Sequence, residues 1–558
     1  MKTESHDVVI IGAGAGGGAC AWALATRGVK VLVLDAGPRF DPEKDYNLEN
    51  PNWEQASFPK KKNSEGRYTF GDMQKLDKKW QHLSSWNAKH GVLNASDQRL
   101  GWRYHHVRGI GGSTLHFTGE AHRLNPKAMQ LKSMFDVAAD WPISYNELEP
   151  FYEIAEKIIG VSGPAVDRIR PRKNQHLLPP HPKSYASQQI EKALNMLELN
   201  WDANSLAILS KPYNNRPACN YCGNCTRGCP RNDKGSVDVT FIRQAINTGR
   251  CEVRSECTVT SLEIGKKDQI SGLTYIDSKG VSNKISARNV VVACGAIETP
   301  RLLLSAKSNK APDGIANESG LVGKNFMETT SWVSSGLHPK SLGSHRGLPS
   351  DSICWDFNMP NAIPDVIGGC RFTLGMAEVG LLGPINYAHR VVDGWGLKHK
   401  KTMRENFGRA LSLGSVGESL PNENSFIDLD PHKTDEYGLP IARINTYLDE
   451  MEIKRLDFMA AKTREILNTA GVDEFFEEFG TYDTFSSTHV FGTCRMGTNI
   501  ENSVVDANCR SHRWKNLFII DASVFPSSGG GESPSLTIEA IAIKAGFYLS
   551  NLMLKKEV

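Results

Sequence analysis

The one-letter sequence DVVIIGAGAGGG, from Asp7 to Gly18, decides the fold of this chain. A β-branched run enters a glycine-rich turn, a helix of small residues follows, and a second apolar strand ends at Asp35. Gly12, Gly14 and Gly17 fit the G-x-G-x-x-G pattern, and Asp35 follows about 20 residues later, where a carboxylate accepts a ribose hydroxyl. Because a helix N-terminus also attracts phosphates, the stretch predicts a dinucleotide site for either FAD or NAD.

Length and composition narrow the class of protein. A chain of 558 residues is too long for one ordinary core, so we expect at least two domains. A net charge of +3 gives no argument for nucleic acid as a partner. No run approaches about 18 apolar residues, so we expect no transmembrane segment. The start, Met1–His6, leads directly into the first strand, and we expect no export signal of the chain's own.

Four of the 12 cysteines form one group. Cys219, Cys222, Cys225 and Cys229, followed by Pro230, fit C-x2-C-x2-C-x3-C-P, a spacing that holds iron–sulfur clusters. A zinc knot is the structural alternative. The other eight cysteines are scattered, and we interpret them as small core residues.

A second glycine-rich segment runs from Val107 to Gly119 and contains R-G-x-G-G-S-T. Together with the opening stretch, it resembles the glucose–methanol–choline (GMC) oxidoreductase family, which binds FAD. The resemblance implies that Gly111, Gly112 and Ser113 lie along the flavin. His116 matches a histidine that some members link covalently to the flavin, whereas in others it forms a hydrogen bond near the cofactor. The residues at 115 to 117 depart from the commonest family pattern and are more similar to the sugar-dehydrogenase branch of the family.

The strongest catalytic signal lies near the C-terminus. His489 begins an H-x-x-G-T-x-R-M-G segment like that of the family. Oxidising an alcohol requires a base for the hydroxyl proton, and a neutral imidazole suits that role. The family usually has His or Asn at a second catalytic position where this chain has Ser533, and the adjacent Glu532 is a candidate to share its task. Asp521 would bond the ribityl or pyrophosphate part of FAD.

The family resemblance implies further ligand roles. Val259 would place its backbone near the adenine. In gluconate- and glucose-dehydrogenase-like members three cysteines hold a [3Fe–4S] cluster, and by spacing these are Cys219, Cys225 and Cys229. Because Cys222 is an extra thiol, a [4Fe–4S] cluster stays open.

The predicted fold class is α/β (α+β overall): a Rossmann-type FAD domain and a substrate domain built on an antiparallel sheet, as in the GMC family. We assign residues 1–325 to the FAD domain, with an insertion at 40–100 and the cysteine loop at 215–235. The insertion is expected over the nucleotide domain, with a lid or subunit contact as the alternative. Residues 326–475 form the substrate domain, and 476–558 return to the FAD domain with the catalytic segment.

Three local patterns add detail. Cys251–Arg254 and Val259–Leu262 alternate as a hairpin, and Met451–Ala470 is typical of one amphipathic helix. Ser144 and Glu147 form a capping box at the start of another helix.

The predicted function is that of an FAD-dependent dehydrogenase that oxidises a secondary hydroxyl of a sugar or glycoside. The chain resembles the gluconate 2-dehydrogenase and glucoside 3-dehydrogenase branch of the family, and C3 of a glucoside is the favoured position. Electrons would leave through the iron–sulfur cluster to a cytochrome-like acceptor. A small signal-bearing subunit would carry the chain to the periplasm, with the cytoplasm as the alternative.

The rival functions are a GMC-type oxidase with a zinc or vestigial cysteine knot, and a non-catalytic electron-transfer flavoprotein. An NAD-linked enzyme is disfavoured because the one nucleotide motif and the flavin-flanking segments leave no second site for a nicotinamide.

Overall fold

A computed structural model describes residues 4–46, 53–54, 58–348, 350–376 and 379–558, so part of the predicted insertion lies outside the described residues. In chain order the strands are β1 Glu4–Ile11, β2 Val31–Leu34, β3 Tyr68–Phe70, β4 Trp86–Asn87, β5 Gly91–Val92, β6 Leu100–Tyr104, β7 Asp202–Ala203, β8 Cys251–Arg254, β9 Thr258–Ile264, β10 Ile270–Ile276, β11 Ser282–Val292, β12 Met327–Glu328, β13 Thr330–Leu337, β14 Ser352–Cys354, β15 Cys370–Leu374, β16 Ala410–Gly417, β17 Phe426–Thr434, β18 Pro440–Asn445, β19 Glu474–Gly480, β20 Thr484–Ser487, β21 Val490–Phe491 and β22 Leu517–Ile519. The helices are α1 Ala15–Ala25, α2 Pro42–Asp45, α3 Leu131–Phe135, α4 Tyr145–Ile159, α5 Tyr185–Met196, α6 Arg243–Asn247, α7 Gly295–Ser305, α8 Pro384–Arg390, α9 Gly396–Asn406, α10 Glu450–Thr469 and α11 Ser535–Leu554.

The N-terminal strand lies in the middle of a seven-stranded sheet. The strand order is β8-β2-β1-β11-β10-β9, and β22 also pairs with β11. Strand β1 is parallel to both of its neighbours, as expected for a Rossmann-type unit. The predicted hairpin of β8 with β9 is wrong, because β8 pairs in parallel with β2 and β9 pairs with β10. Both segments still belong to this sheet, which we call the nucleotide sheet.

The first glycine-rich turn is compact because side chains would not fit in it. A Cβ at Gly17 would lie 1.9 Å from the carbonyl oxygen of Gly12, and one at Gly16 would lie 1.9 Å from that of Ile520. Gly12 itself has a φ of +99°, which L side chains rarely adopt. Helix α1 therefore packs directly on the glycine-rich turn and on the backbone of Ile520, which follows strand β22.

A second sheet has eight strands in the order β5-β4-β19-β13-β16-β15-β14-β7. Its central pairs are antiparallel, so the predicted α/β class with a second, antiparallel sheet is confirmed. Helix α10 packs on this sheet through Leu456 and Met459, with a capping box at Asp449. Strands β4 and β5 come from the predicted insertion, which here extends the edge of the second sheet.

Two short pairings position the C-terminal segment. Strand β20 pairs with β6, and β21 pairs with β12, so His489 lies in the two-residue gap between β20 and β21. The capping box of Ser144 and Glu147 is present at the start of α4, as predicted. In the parts of the chain that the structure describes, no helix has the length and apolarity needed to cross a membrane.

Replacing Gly17 by alanine tests the packing of α1 on the turn. The new Cβ would clash with backbone, which cannot move without shifting the helix, so we expect a loss of about 1–3 kcal/mol or more of stability. The readout is the apparent Tm of the FAD-free protein. The matched control is Gly14→Ala, whose Cβ would have its nearest neighbour, the Gly112 Cα, at 3.8 Å. Equal Tm values for the two variants would contradict the packing described here.

Candidate active site

One large cavity of about 1270 Å³ runs from the glycine-rich turn to the second sheet. The predicted site residues that line it are Gly12, Gly14, Asp35, Gly112, Ser113, His116, Val259, His489, Asp521 and Ser533. Gly17 and Gly111 lie behind the wall, where each packs against a neighbouring segment. The four cysteines lie outside the wall as well, although Thr226 and Arg227 of their loop line it. The fold thus gathers the nucleotide motif and the C-terminal segment around a single space.

At the nucleotide end, Asp35 holds the turn. One carboxylate oxygen accepts a hydrogen bond from Ala13 N at 2.8 Å, and the other accepts one from Gly37 N at 2.9 Å. Burial raises the pKa of Asp35, and the two backbone N–H groups act against that rise. The carboxylate is therefore fixed at the cavity wall, where an acceptor for a ribose hydroxyl is expected.

The two glycine-rich segments meet at the cavity. A Cβ at Gly112 would lie only 2.8 Å from the Gly14 Cα, and Gly112 has a φ of +55°. The wall at this point is bare backbone at the N-terminus of α1. Such a surface admits an anionic chain close to free N–H groups, so the residues present fit the pyrophosphate of FAD.

His116 supplies a second indication of a bound group. Its Nε2 atom is buried and has no hydrogen-bond partner among the described residues. Burial and the nearby Lys234 lower the pKa of His116 to about 3, so the ring is neutral. A buried polar atom without a partner is costly, and one at a cavity wall fits a contact with a cofactor. Covalent attachment stays a prediction.

Asp521 organises the start of α7. Its Oδ2 atom accepts hydrogen bonds from Gly295 N at 2.9 Å and Thr299 Oγ1 at 2.6 Å, and its Oδ1 accepts one from Ser523 N at 2.8 Å. Burial raises the pKa of this carboxyl group. These protein donors fix Asp521 at the wall, and its predicted bond to FAD stays a prediction.

His489 is held by its backbone rather than by its ring. Its carbonyl oxygen accepts hydrogen bonds from Thr329 N at 3.1 Å and Ser487 Oγ at 2.9 Å. Burial and the Arg371 guanidinium lower the pKa of His489 to about 4, and Glu120 acts in the opposite direction. At neutral pH the imidazole therefore lacks its second proton and is able to accept one.

Ser533 has a partner that the sequence did not reveal. Its hydroxyl donates to Glu120 Oε2 at 2.9 Å, and Arg371 Nη2 donates to the same oxygen at 2.5 Å. Burial alone would raise the pKa of Glu120, but the Arg371 guanidinium beside it lowers the pKa to about 2. Glu120 and Arg371 both line the cavity, so a buried ion pair belongs to the site.

The prediction that Glu532 shares the catalytic task of Ser533 is wrong. Its Oε1 atom accepts hydrogen bonds from Arg170 Nη2 at 2.6 Å and Asn358 Nδ2 at 2.9 Å. The side chain is buried and does not line the cavity, whereas Ser533 does. Glu532 therefore supports the loop and does not face the cavity.

Only one signal in the sequence pointed toward the missed ion pair. Arg371 is a lone charge in the otherwise apolar strand β15, and such residues are rarely buried unless paired. Glu120 follows the second glycine-rich segment directly, but it belongs to no motif. A search for buried charges in predicted strands would have found Arg371 and left its partner open.

The cysteine loop does not form a metal site in this arrangement. Cys219 Sγ accepts from Tyr221 N at 3.3 Å, Cys229 Sγ donates to Asp233 at 3.3 Å, and Cys222 is exposed. Within the described residues, no group of three or more His, Cys, Asp or Glu side chains is arranged to hold a metal ion. As placed, the four thiols are therefore not gathered around one point.

The loop nevertheless lies beside the cofactor end of the cavity. The buried Lys234 Nζ donates to three carbonyl groups, those of Leu115 at 3.0 Å, Phe117 at 2.9 Å and Cys225 at 2.6 Å. One ammonium group thus ties the cysteine loop to the two residues that flank His116.

Comparison with known proteins agrees with this architecture. Residues 187–330 and residues 421–542 match two family models that are both described as GMC oxidoreductase. Residues 10–40 match a model described as an NAD(P)-binding Rossmann-like domain. These matches cover the glycine-rich turn, the cysteine loop and the segment that carries His489.

Relatives and a solved structure extend the similarity to nearly the whole chain. The 2-methyl-1,2-propanediol dehydrogenase of Mycolicibacterium austroafricanum is 28% identical over 98% of this chain and 96% of its own length. The fructose dehydrogenase large subunit of Gluconobacter japonicus is 27% identical over 99% of this chain and 98% of its own. The crystal structure of pyridoxine 4-oxidase from Mesorbium loti shares the fold, with a TM-score of 0.62 at 18% identity over 97% of this chain and 99% of that chain.

Replacing Gly14 by alanine tests the fit of FAD. The methyl group is tolerated by the chain but projects at the wall where the two glycine-rich segments meet. We therefore expect the Kd for FAD, measured by titrating FAD into the FAD-free protein, to rise about tenfold or more, the loss of roughly 1.4 kcal/mol of binding energy. The Tm measured after FAD removal should match that of the unaltered protein. An unchanged Kd for FAD in Gly14→Ala would show that the cofactor does not pass this turn.

Proposed function

Because this chain belongs to the GMC oxidoreductase family, as its motifs predict, we propose that it is an FAD-dependent dehydrogenase oxidising a secondary hydroxyl of a sugar or glycoside. Enzymes of this family bind FAD and act on CH–OH groups. The observation that carries the proposal is the neutral, buried imidazole of His489, which lines the same cavity as the nucleotide motif. The sequence around His116, the cysteine spacing and the His489 segment resemble the gluconate and glucoside dehydrogenase branch, and within that branch we propose C3 of a glucoside as the oxidised position.

The chemistry needs two separate acceptors. When bound, FAD supplies the acceptor for the hydride that leaves the carbinol carbon. His489 accepts the hydroxyl proton, so the carbonyl double bond forms as the C–H and O–H bonds break. Base catalysis of this kind typically contributes about 10²–10⁴-fold. Because the ring is desolvated and near Arg371, it is neutral before the reaction and ready to take the proton.

The route by which electrons leave is the second part of the proposal. We propose an iron–sulfur cluster at the cysteine loop and a cytochrome-like acceptor. The support is the spacing of the four cysteines and the bond from Lys234 that places their loop beside His116. Because the thiols as described do not form a metal-holding group, iron analysis of the purified protein is the direct test of the cluster.

The proposed partner and location rest on the resemblance to the gluconate and glucoside dehydrogenase branch. A relative that is named a large subunit supports the proposal that this chain works with further subunits. We propose a small signal-bearing subunit that carries it to the periplasm, with the cytoplasm as the alternative. An oxidase of the same family is the second candidate, because oxidases also occur among the relatives of this chain.

Electron acceptors and iron content separate the dehydrogenase from the oxidase. We expect a glycoside panel to bleach the flavin without oxygen and to sustain turnover with a one-electron dye, with little turnover on oxygen alone. Iron analysis should give three or four iron atoms per flavin, as expected for a single cluster. The control is a variant with Cys219 and Cys225 replaced by serine, which should lose iron but keep flavin bleaching. Oxygen-linked turnover without iron would support the oxidase, and no bleaching by any alcohol would support an electron-transfer flavoprotein.

The dependence of rate on pH tests His489 as the base. Its lowered pKa places the acid limb of kcat/KM near pH 4 rather than near 6.5, because activity is lost only as the ring becomes protonated. His489→Asn should lower kcat by about 10²–10⁴-fold and leave flavin content unchanged. The matched control is His512→Asn, a half-buried histidine that contacts Ser503 outside the cavity. An acid limb at 6.5, or full activity in His489→Asn, would contradict the assignment.

A further inference from the structure

Four residues form a closed ring of hydrogen bonds behind Ser533. Ser533 N donates to His122 Nδ1 at 3.1 Å, and His122 Nε2 lies 2.8 Å from Asn204 Oδ1. Asn204 Nδ2 donates to Glu120 Oε1 at 3.1 Å, and Ser533 Oγ donates to Glu120 Oε2 at 2.9 Å. All four residues are buried, so water does not compete for these bonds.

The direction of each bond in the ring is determined by its neighbour. The backbone N–H of Ser533 is only a donor, so His122 Nδ1 must be the acceptor and carries no proton. In a neutral ring the proton is then on Nε2, which donates to Asn204 Oδ1. With its oxygen used in this way, Asn204 turns its NH₂ group toward Glu120. The ring therefore has one consistent arrangement of protons.

Glu120 closes the ring as an acceptor. Its carboxylate receives Asn204 on one oxygen, and Arg371 and Ser533 on the other. The side chains of Arg371 and Glu120 are only 3% and 4% exposed, and a buried guanidinium requires the carboxylate to be ionised. An ionised carboxylate has no proton to donate, so the hydroxyl proton of Ser533 is committed to Glu120. The oxygen of Ser533 then offers only lone pairs to the cavity.

Because the Ser533 oxygen only accepts, the substrate must supply the proton for any hydrogen bond to it. The reacting hydroxyl has a single proton, and His489 takes it. Ser533 lines the same cavity as His489 and cannot donate to the alcohol oxygen. A hydrogen bond to Ser533 therefore needs a second proton from the substrate, on a group near the reacting one.

We propose that the substrate is a vicinal diol unit, in which one hydroxyl group donates to His489 and is oxidised while its neighbour donates to Ser533 Oγ. This inference rests on the proposed function and adds the contact by which the site recognises the hydroxyl beside the oxidised one. Glu120 and Arg371 act as positioning residues, because they hold the Ser533 proton away from the cavity.

Analogues that lack one proton test the inference. The probes are the methyl glycoside that gives the fastest turnover, its deoxy analogue and its deoxyfluoro analogue, each altered at the hydroxyl beside the oxidised carbon. Fluorine replaces the hydroxyl oxygen but has no proton to donate. Ser533→Ala should lower kcat/KM for the parent glycoside about tenfold, the value of one hydrogen bond. It should change kcat/KM for both analogues by less than about twofold, since neither makes the bond.

Two further variants complete the test. Ser533→Thr keeps the hydroxyl and should restore the preference for the parent over the deoxy analogue. Ser527→Ala is the matched control, since this buried serine of the same loop bonds Trp141 and the Ala128 carbonyl away from the cavity. It should leave the ratio of parent to deoxy kcat/KM unchanged.

Distinct results would overturn the inference. If Ser533→Ala lowers the rate with the fluoro analogue as much as with the parent, the Ser533 hydroxyl donates its proton to the substrate and not to Glu120. If the parent and deoxy rates fall equally, Ser533 contacts no second hydroxyl. Failure of the proposed function is seen separately and first, as the absence of flavin bleaching by any glycoside in the unaltered protein.

Discussion

The buried ion pair between Glu120 and Arg371 is the interaction on which the catalytic end of this structure depends. It joins the second glycine-rich segment to strand β15 of the antiparallel sheet, and through Ser533 it reaches the loop before α11. Three segments that are distant in sequence thus share one carboxylate. Breaking a buried pair typically costs about 3–5 kcal/mol, because it leaves a charge without a partner. The pair is fully satisfied here, which makes it a rigid element of the site.

The same pair sets the electrostatics of the proposed base. Burial lowers the pKa of His489 most, Arg371 lowers it further and Glu120 partly offsets both, so the imidazole is neutral without being isolated from charge. At the other end, the contact of Gly14 with Gly112 leaves a wall of bare backbone. The cavity therefore has an end suited to an anionic cofactor and an end suited to proton transfer, and the two sheets hold these ends at a fixed separation.

The sequence predicted the features that are local and missed those that depend on distant partners. The strand–turn–helix around Gly12 and the position of His489 beside the cavity follow from short motifs, and both are found. The partnership of Glu120 with Arg371 joins residues 251 positions apart, and no local pattern encodes it. Glu532 was misassigned because adjacency in sequence does not place two side chains on the same side of the chain, and only Ser533 lines the cavity. The hairpin of β8 and β9 failed because alternation shows a strand but not its neighbour.

An experimental structure of the FAD-loaded protein with a bound glycoside tests the central claim most directly. Our account predicts that the isoalloxazine ring lies in the cavity between His116 and His489, with the sugar between the flavin and the imidazole. It also predicts a sugar hydroxyl within hydrogen-bond distance of Ser533 Oγ, while the Ser533 contact with Glu120 is kept. A flavin outside this cavity, or a sugar bound away from His489, would contradict it.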